Sequence, residues 1–255
     1  MDDVLGEDCG DLEDDENDDE DYDVPSSSGL DLVRGTGLIF PSKFRPHLSS
    51  SSPMEVFRGR FRFMNLVRYT HHNDNSMLLI MTDGACLNNG QANPKAGWAF
   101  CQGADLEGGP LLVSGRLEKK GPWGDDGIQS SNRAELRAVI AALRFRHWPG
   151  EGFKTVVIAT DSEYVVEGST QWAKTWVQNS WRTTGKRETN GSNVKNKDLW
   201  EALLGECERA NRHGMAIQFW KIPREWNTLA DEAAKKAAAA EEPPAEWTQI
   251  SGIAI

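Results

Sequence analysis

Two apolar runs in this chain end on a charged residue. Residues 78–84 read LLIMTDG and residues 156–162 read VVIATDS. Runs of that length and content form strands buried on both faces, as in the parallel part of an α/β sheet. Buried strands seldom close on a carboxylate, yet Asp83 and Asp161 do so in matching contexts. If the two strands are neighbours, the acids lie side by side at one end of the sheet, where α/β domains place chemistry. Either aspartate alone reads as a turn former or a helix cap. As a pair they ask for another explanation.

The rest of the chain supplies a frame for them. MLLIMTD (77–83), AGWAFCQ (96–102) and LLVSGRL (111–117) read as three strands parted by Gly/Pro-rich turns. Residues 131–148 read as a helix, with Ser131 as its N-cap, an apolar stripe of Leu136, Val139, Ile140 and Leu143, and Pro149-Gly150 as its stop. KTVVIATD (154–161) is a fourth strand. A helix-rich stretch from Ser162 to His213 follows, broken by TTGKRETNGSN (183–193). MAIQFWKIP (215–223) is a fifth strand ended by Pro223, and Asn227 caps a last helix before Pro243-Pro244. Strands and helices in this order predict an α/β domain built on one mixed sheet.

Charge divides the chain unevenly. The net charge is −11, but residues 1–24 hold 14 of the 39 acidic residues and no Lys or Arg. The remainder carries 28 basic against 25 acidic residues, a balance of +3, so the body can meet phosphate. Residues 1–53, acidic then serine-rich, cannot bury enough apolar surface to fold and are expected to be a disordered leader. Residues 54–76 form a basic and aromatic arm, an edge strand or extended segment in which Phe57, Phe61 and Phe63 alternate with Arg58, Arg60 and Arg62. Residues 77–240 form the domain proper and 241–255 a tail. No apolar run approaches the ~20 residues of a membrane helix, so no membrane is expected. The acidic N-terminus and four scattered cysteines without a CxxC pair point to nucleus or cytoplasm. The chain is expected to act as a monomer.

Two further acids join the aspartates. Glu135, in SSNRAEL, shares a helix face with Asn132 and points along the apolar stripe. Taken alone it closes a capping box with Ser131 or Asn132. Asp231 sits near the start of the last helix, where the helix dipole alone would favour it. Four clustered carboxylates are costly unless cations join them. Oxygen ligands without Cys or His suit Mg²⁺ or Mn²⁺, and two such ions can clamp an in-line phosphoryl displacement.

TDGAC, NRAEL, TDSEYV and NTLADEAAKKA, in this order, resemble the type 1 ribonuclease H family, and IPREWN…AD is similar to its fungal branch. The resemblance covers residues 77–240. It implies the RNase H-like fold, a five-stranded mixed sheet with the first three strands antiparallel and helices around it. It implies Asp83, Glu135, Asp161 and Asp231 as the catalytic and metal-binding quartet, with two Mg²⁺ ions or Mn²⁺ as substitute. It implies hydrolysis of the RNA strand of an RNA–DNA hybrid, leaving 5′-phosphate and 3′-hydroxyl ends. The alternative is a non-cleaving hybrid-binding module of the same fold, of retroelement origin.

Substrate contacts carry over onto Asn89, Ser131 and Asn132, polar groups suited to the 2′-hydroxyl. Ser131 stands where bacterial relatives often have Asn. Residues 172–197 interleave Trp172, Trp176 and Trp181 with Lys174, Arg182, Lys186, Arg187, Lys195 and Lys197. Basic plus aromatic suits a nucleic-acid groove, though the tryptophans serve equally as packing beneath an exposed loop. Neutralising about four phosphates there gives a log–log salt slope near −3.6. The family's loop histidine before the last helix is absent; Arg224 or Glu225 is the candidate auxiliary residue in its place.

Overall fold

The computed structural model describes residues 31–62, 66–183 and 191–252. Two compact units divide between Asp31 and Leu32, and the architecture below is that of the second.

In chain order the elements are β1 (Ser42–Lys43), a single turn α1 (Pro53–Val56), β2 (Phe57–Arg62), β3 (Leu66–His71), β4 (Asp74–Leu87), β5 (Lys95–Ala104) and β6 (Pro110–Arg116). Then come α2 (Ser131–Arg144), β7 (Thr155–Thr160), α3 (Glu163–Glu167), α4 (Ala173–Gln178), α5 (Lys197–Arg212), β8 (Ala216–Lys221) and α6 (Thr228–Ala239). A π-type turn, Gly168–Trp172, joins α3 to α4.

β4 is the centre of the sheet. β5 pairs with it antiparallel and β6 with β5 antiparallel; β7 pairs with β4 parallel and β8 with β7 parallel. These five strands are the expected RNase H-like sheet. Alternate residues of β4 face opposite cores, as strand periodicity requires. Leu78 and Ile80 join Trp98, Phe100, Val156, Ile158 and the apolar stripe of α2 on one side. Leu79 and Met81 join Phe57, Cys101, Val157, Ala159 and Trp220 on the other.

Among the described residues the sheet has eight strands, not five. The basic arm folds back as the hairpin β2–β3, and β3 pairs with the start of β4 and the end of β5. It joins because Phe57 and Thr70 become wholly buried and Arg68 nearly so. The leader reading also overextends. Residues 32–52 run along the domain: β1 pairs parallel with β8, and Phe44 packs 5.1 Å from Trp220 and 5.6 Å from Phe57, ring centre to ring centre. Serine-rich composition concealed these few aromatic anchors. The backbone crosses α5 at a paired glycine contact, where a Cβ on Gly35 would stand 2.4 Å from Gly205 N. The segment past 240 is likewise packed. Arg137, buried against Glu118, also donates to Thr248 O at 2.9 Å, and Gly252 N donates to Phe145 O at 2.6 Å.

Candidate active site and nucleic-acid interface

The strand register aligns the two aspartates. In the parallel β4–β7 pair Met81 stands beside Ala159, so Asp83 and Asp161, each two residues further, reach the same level. Asp83 is 4% exposed and Asp161 half-buried. Glu135 arrives from α2. The helix is capped one residue earlier than expected: the Ser130 hydroxyl accepts from Arg133 N. Position N3 is therefore Arg133, and Glu135, two residues deeper, cannot close a capping box. What brings it in is Gly84. A Cβ there would lie 2.1 Å from Glu135 N, so only glycine lets the first turns of α2 rest on β4 beside Asp83.

Asp231 comes from the first turns of α6. Asn227 precedes that helix, but its side chain does not cap it. The buried Asn227 amide donates to Thr82 O at 3.0 Å and to Asp161 Oδ1 at 3.1 Å, tying α6 to both aspartate-bearing strands. Asn227 is therefore not the side-chain cap its position suggests but a link between α6 and the aspartates. The signal present was only its place four residues before Asp231.

The four acids share one electrostatic field. Burial, then the charges of Asp161, Glu135 and Asp231, raise the Asp83 carboxyl to about 8. Burial also raises Glu135, to about 7, with Asp161 adding to the rise and the Ser162 hydroxyl, Arg224 and Lys221 opposing it. Asp231 behaves differently. Burial acts to raise it, but Lys235 and Arg224 together hold it below the ordinary value. Lys235 Nζ donates to Asp231 Oδ2 at 2.5 Å, and Arg224 hydrogen-bonds Oδ1.

The donor set fits a divalent cation. It is all oxygen, and Glu135 Oε2 is buried without a partner among the described residues. Both Asp231 oxygens face cations instead, and among the described residues no three acidic, His or Cys side chains converge on one point as the ligands of an ion.

Of the expected substrate residues, Asn89 and Ser131 meet: Ser131 N donates to Asn89 Oδ1 at 3.4 Å, beside exposed Asn132 at the start of α2. Trp172 and Trp176 belong to a separate patch around α4. Trp172 is 39% exposed and leans on Trp176, which packs on buried Trp200 at 5.4 Å. The packing reading thus holds for Trp176, while Trp172 offers a face to solvent. Exposed Lys174 sits 5.6 Å over the Phe40 ring, and exposed Arg182 bridges to Asn193. Lys186 and Arg187 lie outside the described residues. Arg224 and Glu225 share an exposed 3-10 turn, and Arg224 reaches the carboxylates.

Comparison with known proteins places the chain in a family. The RNase H family model matches residues 75–239. A ribonuclease H of Treponema pallidum subsp. pallidum is 42% identical over 136 residues, spanning 51% of this chain and 73% of that one. One from Hahella chejuensis is 38% identical over 158 residues, 61% of this chain and 88% of that. Among solved structures, RNase H1 of the halophilic archaeon Halobacterium salinarum NRC-1 overlays with a TM-score of 0.38 at 21% identity, over 63% of this chain and 96% of that. That overlay is loose, and the sequence match decides the matter: the chain belongs to the RNase H family.

Proposed function

We propose that this chain is a type 1 ribonuclease H that hydrolyses the RNA strand of RNA–DNA hybrids with Asp83, Glu135, Asp161 and Asp231 as metal-binding catalytic groups. The observation that carries the assignment is the register of β4 and β7, which sets Asp83 level with Asp161 while Gly84 seats Glu135 against them. Ribonucleases H depend on divalent metal. Two Mg²⁺ ions, or Mn²⁺, held by the quartet would activate water and stabilise the leaving oxygen. The chain's own groups prepare the site. Asn227 orients Asp161, the Ser162 hydroxyl reaches Glu135, and Arg224 and Lys235 neutralise Asp231 until it is needed as a ligand. Asn89, Ser131 and Asn132 meet the hybrid's sugars and backbone, and Trp172, Lys174 and Arg182 its flank, as a polar and a basic-aromatic surface respectively. The order of the four motifs supports the type 1 placement, and IPREWN the fungal branch.

The test is cleavage of an end-labelled hybrid in Mg²⁺, Mn²⁺ or EDTA, with Asp83→Asn as control. Metal-dependent release of 5′-phosphate products by the wild type alone is expected. Tight hybrid binding with no metal-dependent cleavage would assign the chain to the non-cleaving module instead.

A further inference from the structure

The β2–β3 hairpin holds cations that have no acid to meet. Arg58, Arg60 and Arg62 occupy alternate positions of β2 and so share one face of the strand. On β3 the same face continues as Thr70, Arg68 and Leu66, their cross-strand partners. Several other arginines of the domain are neutralised, among them Arg68 by Glu151, Arg133 by Asp198 and Arg137 by Glu118. Among the described residues no ion pair reaches Arg58, Arg60 or Arg62, while nearby Glu151 is already shared by Arg68 and Arg146.

The row is nevertheless fixed in place. Arg60 Nη2 donates to His72 O at 3.1 Å and Arg62 Nη2 to Asn75 O at 2.6 Å. The Arg62 guanidinium also lies 5.2 Å from the Phe153 ring centre. Partial desolvation, then the charges of Arg58 and Arg62, draw Arg60 below its ordinary value. Two half-buried, anchored guanidinium groups and exposed Arg58 thus line one strand face, mutually repelling and without an ion-pair partner among the described residues.

We propose that Arg58, Arg60 and Arg62 form a second nucleic-acid site that grips the phosphodiester backbone of a strand continuing beyond the cleaved segment. Alternate residues on a strand repeat every ~6.7 Å, a step comparable to that between neighbouring phosphates, and guanidinium forks suit phosphate oxygens. The Arg62 end of the row lies away from the carboxylates, while Arg58, whose partner Thr70 pairs with Leu78, stands nearer. Arg62 touches Asn75, eight residues before Asp83 on β4, which is about 26 Å along the strand at ~3.3 Å per residue. A substrate therefore reaches both sites only if it extends past the hybrid being cut. The inference rests on the ribonuclease reading for its substrate, but not for its geometry.

The test compares wild type with the Arg58→Gln/Arg60→Gln/Arg62→Gln variant in EDTA, by fluorescence anisotropy across a salt series. The probes are a hybrid of about 6 base pairs, the same hybrid with a single-stranded extension of about 20 nucleotides, and a blunt hybrid of about 30 base pairs, since ~26 Å corresponds to roughly 8 base pairs at ~3.4 Å each. On an extended probe the variant is expected to lose about tenfold in affinity at low salt and to show a log–log slope shallower by about 2 to 3. Loss on the tailed probe identifies a single strand as the ligand, and loss on the long blunt probe a duplex. Binding of the short hybrid in EDTA stays unchanged, and so does its cleavage in a parallel assay with Mg²⁺. The matching Arg→Lys triple, which keeps the charge, should keep the slope. An unchanged slope on both extended probes overturns the site, and so does equal loss on the short probe or by the lysine variant. Failure of the wild type to cleave any probe in the Mg²⁺ assay would refute the ribonuclease reading and leave the binding comparison to decide the row.

Discussion

Replacing Asp83 by asparagine should abolish cleavage and, without metal, make the protein more stable. Asp83 is 4% exposed, and its carboxyl is held at about 8 against an ordinary 3.8. A raised carboxyl favours the protonated folded state. Its stability is full below the unfolded value near 3.8, declines as pH rises, and is lost once pH passes the folded value of about 8. Some 4 units at ~1.4 kcal/mol each set a ceiling of roughly 6 kcal/mol, reduced in practice by relaxation and by the coupled neighbours. Asparagine keeps the shape and drops the charge. Urea unfolding in EDTA at pH 8.5 should therefore show Asp83→Asn more stable than wild type by a few kcal/mol, with the difference vanishing near pH 4. Asp83→Asn retains a smaller decline with pH, from Glu135, which is also raised. Added Mg²⁺ should stabilise the wild type more than the variant. If the variant is equally or less stable at pH 8.5, the buried carboxylate cluster is not the strained feature described here.

Gly84→Ala should cost about 1–3 kcal/mol in urea unfolding and cut the cleavage rate, because its methyl meets the main chain of α2; a silent variant would refute the close approach. Asn227→Ala should cost about 1–3 kcal/mol by leaving Thr82 O and the Asp161 carboxylate each short of a donor, read by thermal unfolding alongside cleavage. Glu225→Gln should lower the cleavage rate much less than Asp83→Asn does; equal losses would end its auxiliary role. Glu208→Ala should speed tryptic cutting at Arg34, since Glu208 Oε1 accepts from Thr36 N, Thr36 Oγ1, Gly37 N and Leu38 N at 2.8–3.2 Å; unchanged digestion would show that the segment is held elsewhere.

The central five strands and the main helices were legible because their signals are local. β4 and β7 announce themselves as short apolar runs, and α2 as a stripe at helical spacing. The four acids were legible as an ordered set of motifs. Less visible were features that depend on partners distant in sequence. Residues 32–52 look solvated by composition, yet Phe44 finds Trp220 and Gly35 finds Gly205. The alternating Phe/Arg arm left strand and extended segment equally open until β3 met β4. The cap of α2 shifted by one residue because adjacent serines offer nearly the same hydroxyl.

Periodicity and punctuation act within a few residues, so they settle which segments become strand or helix and which carboxylates those segments carry. It takes the packing of distant segments to bring Asp83 and Asp161 level, to admit Glu135 at Gly84, to turn Asn227 to Asp161 rather than to its own helix, and to set Asp231 against Arg224 and Lys235. Register, close approach and charge pairing arise between segments up to well over a hundred residues apart. Their energies depend on burial and distance, which exist only once the chain has folded.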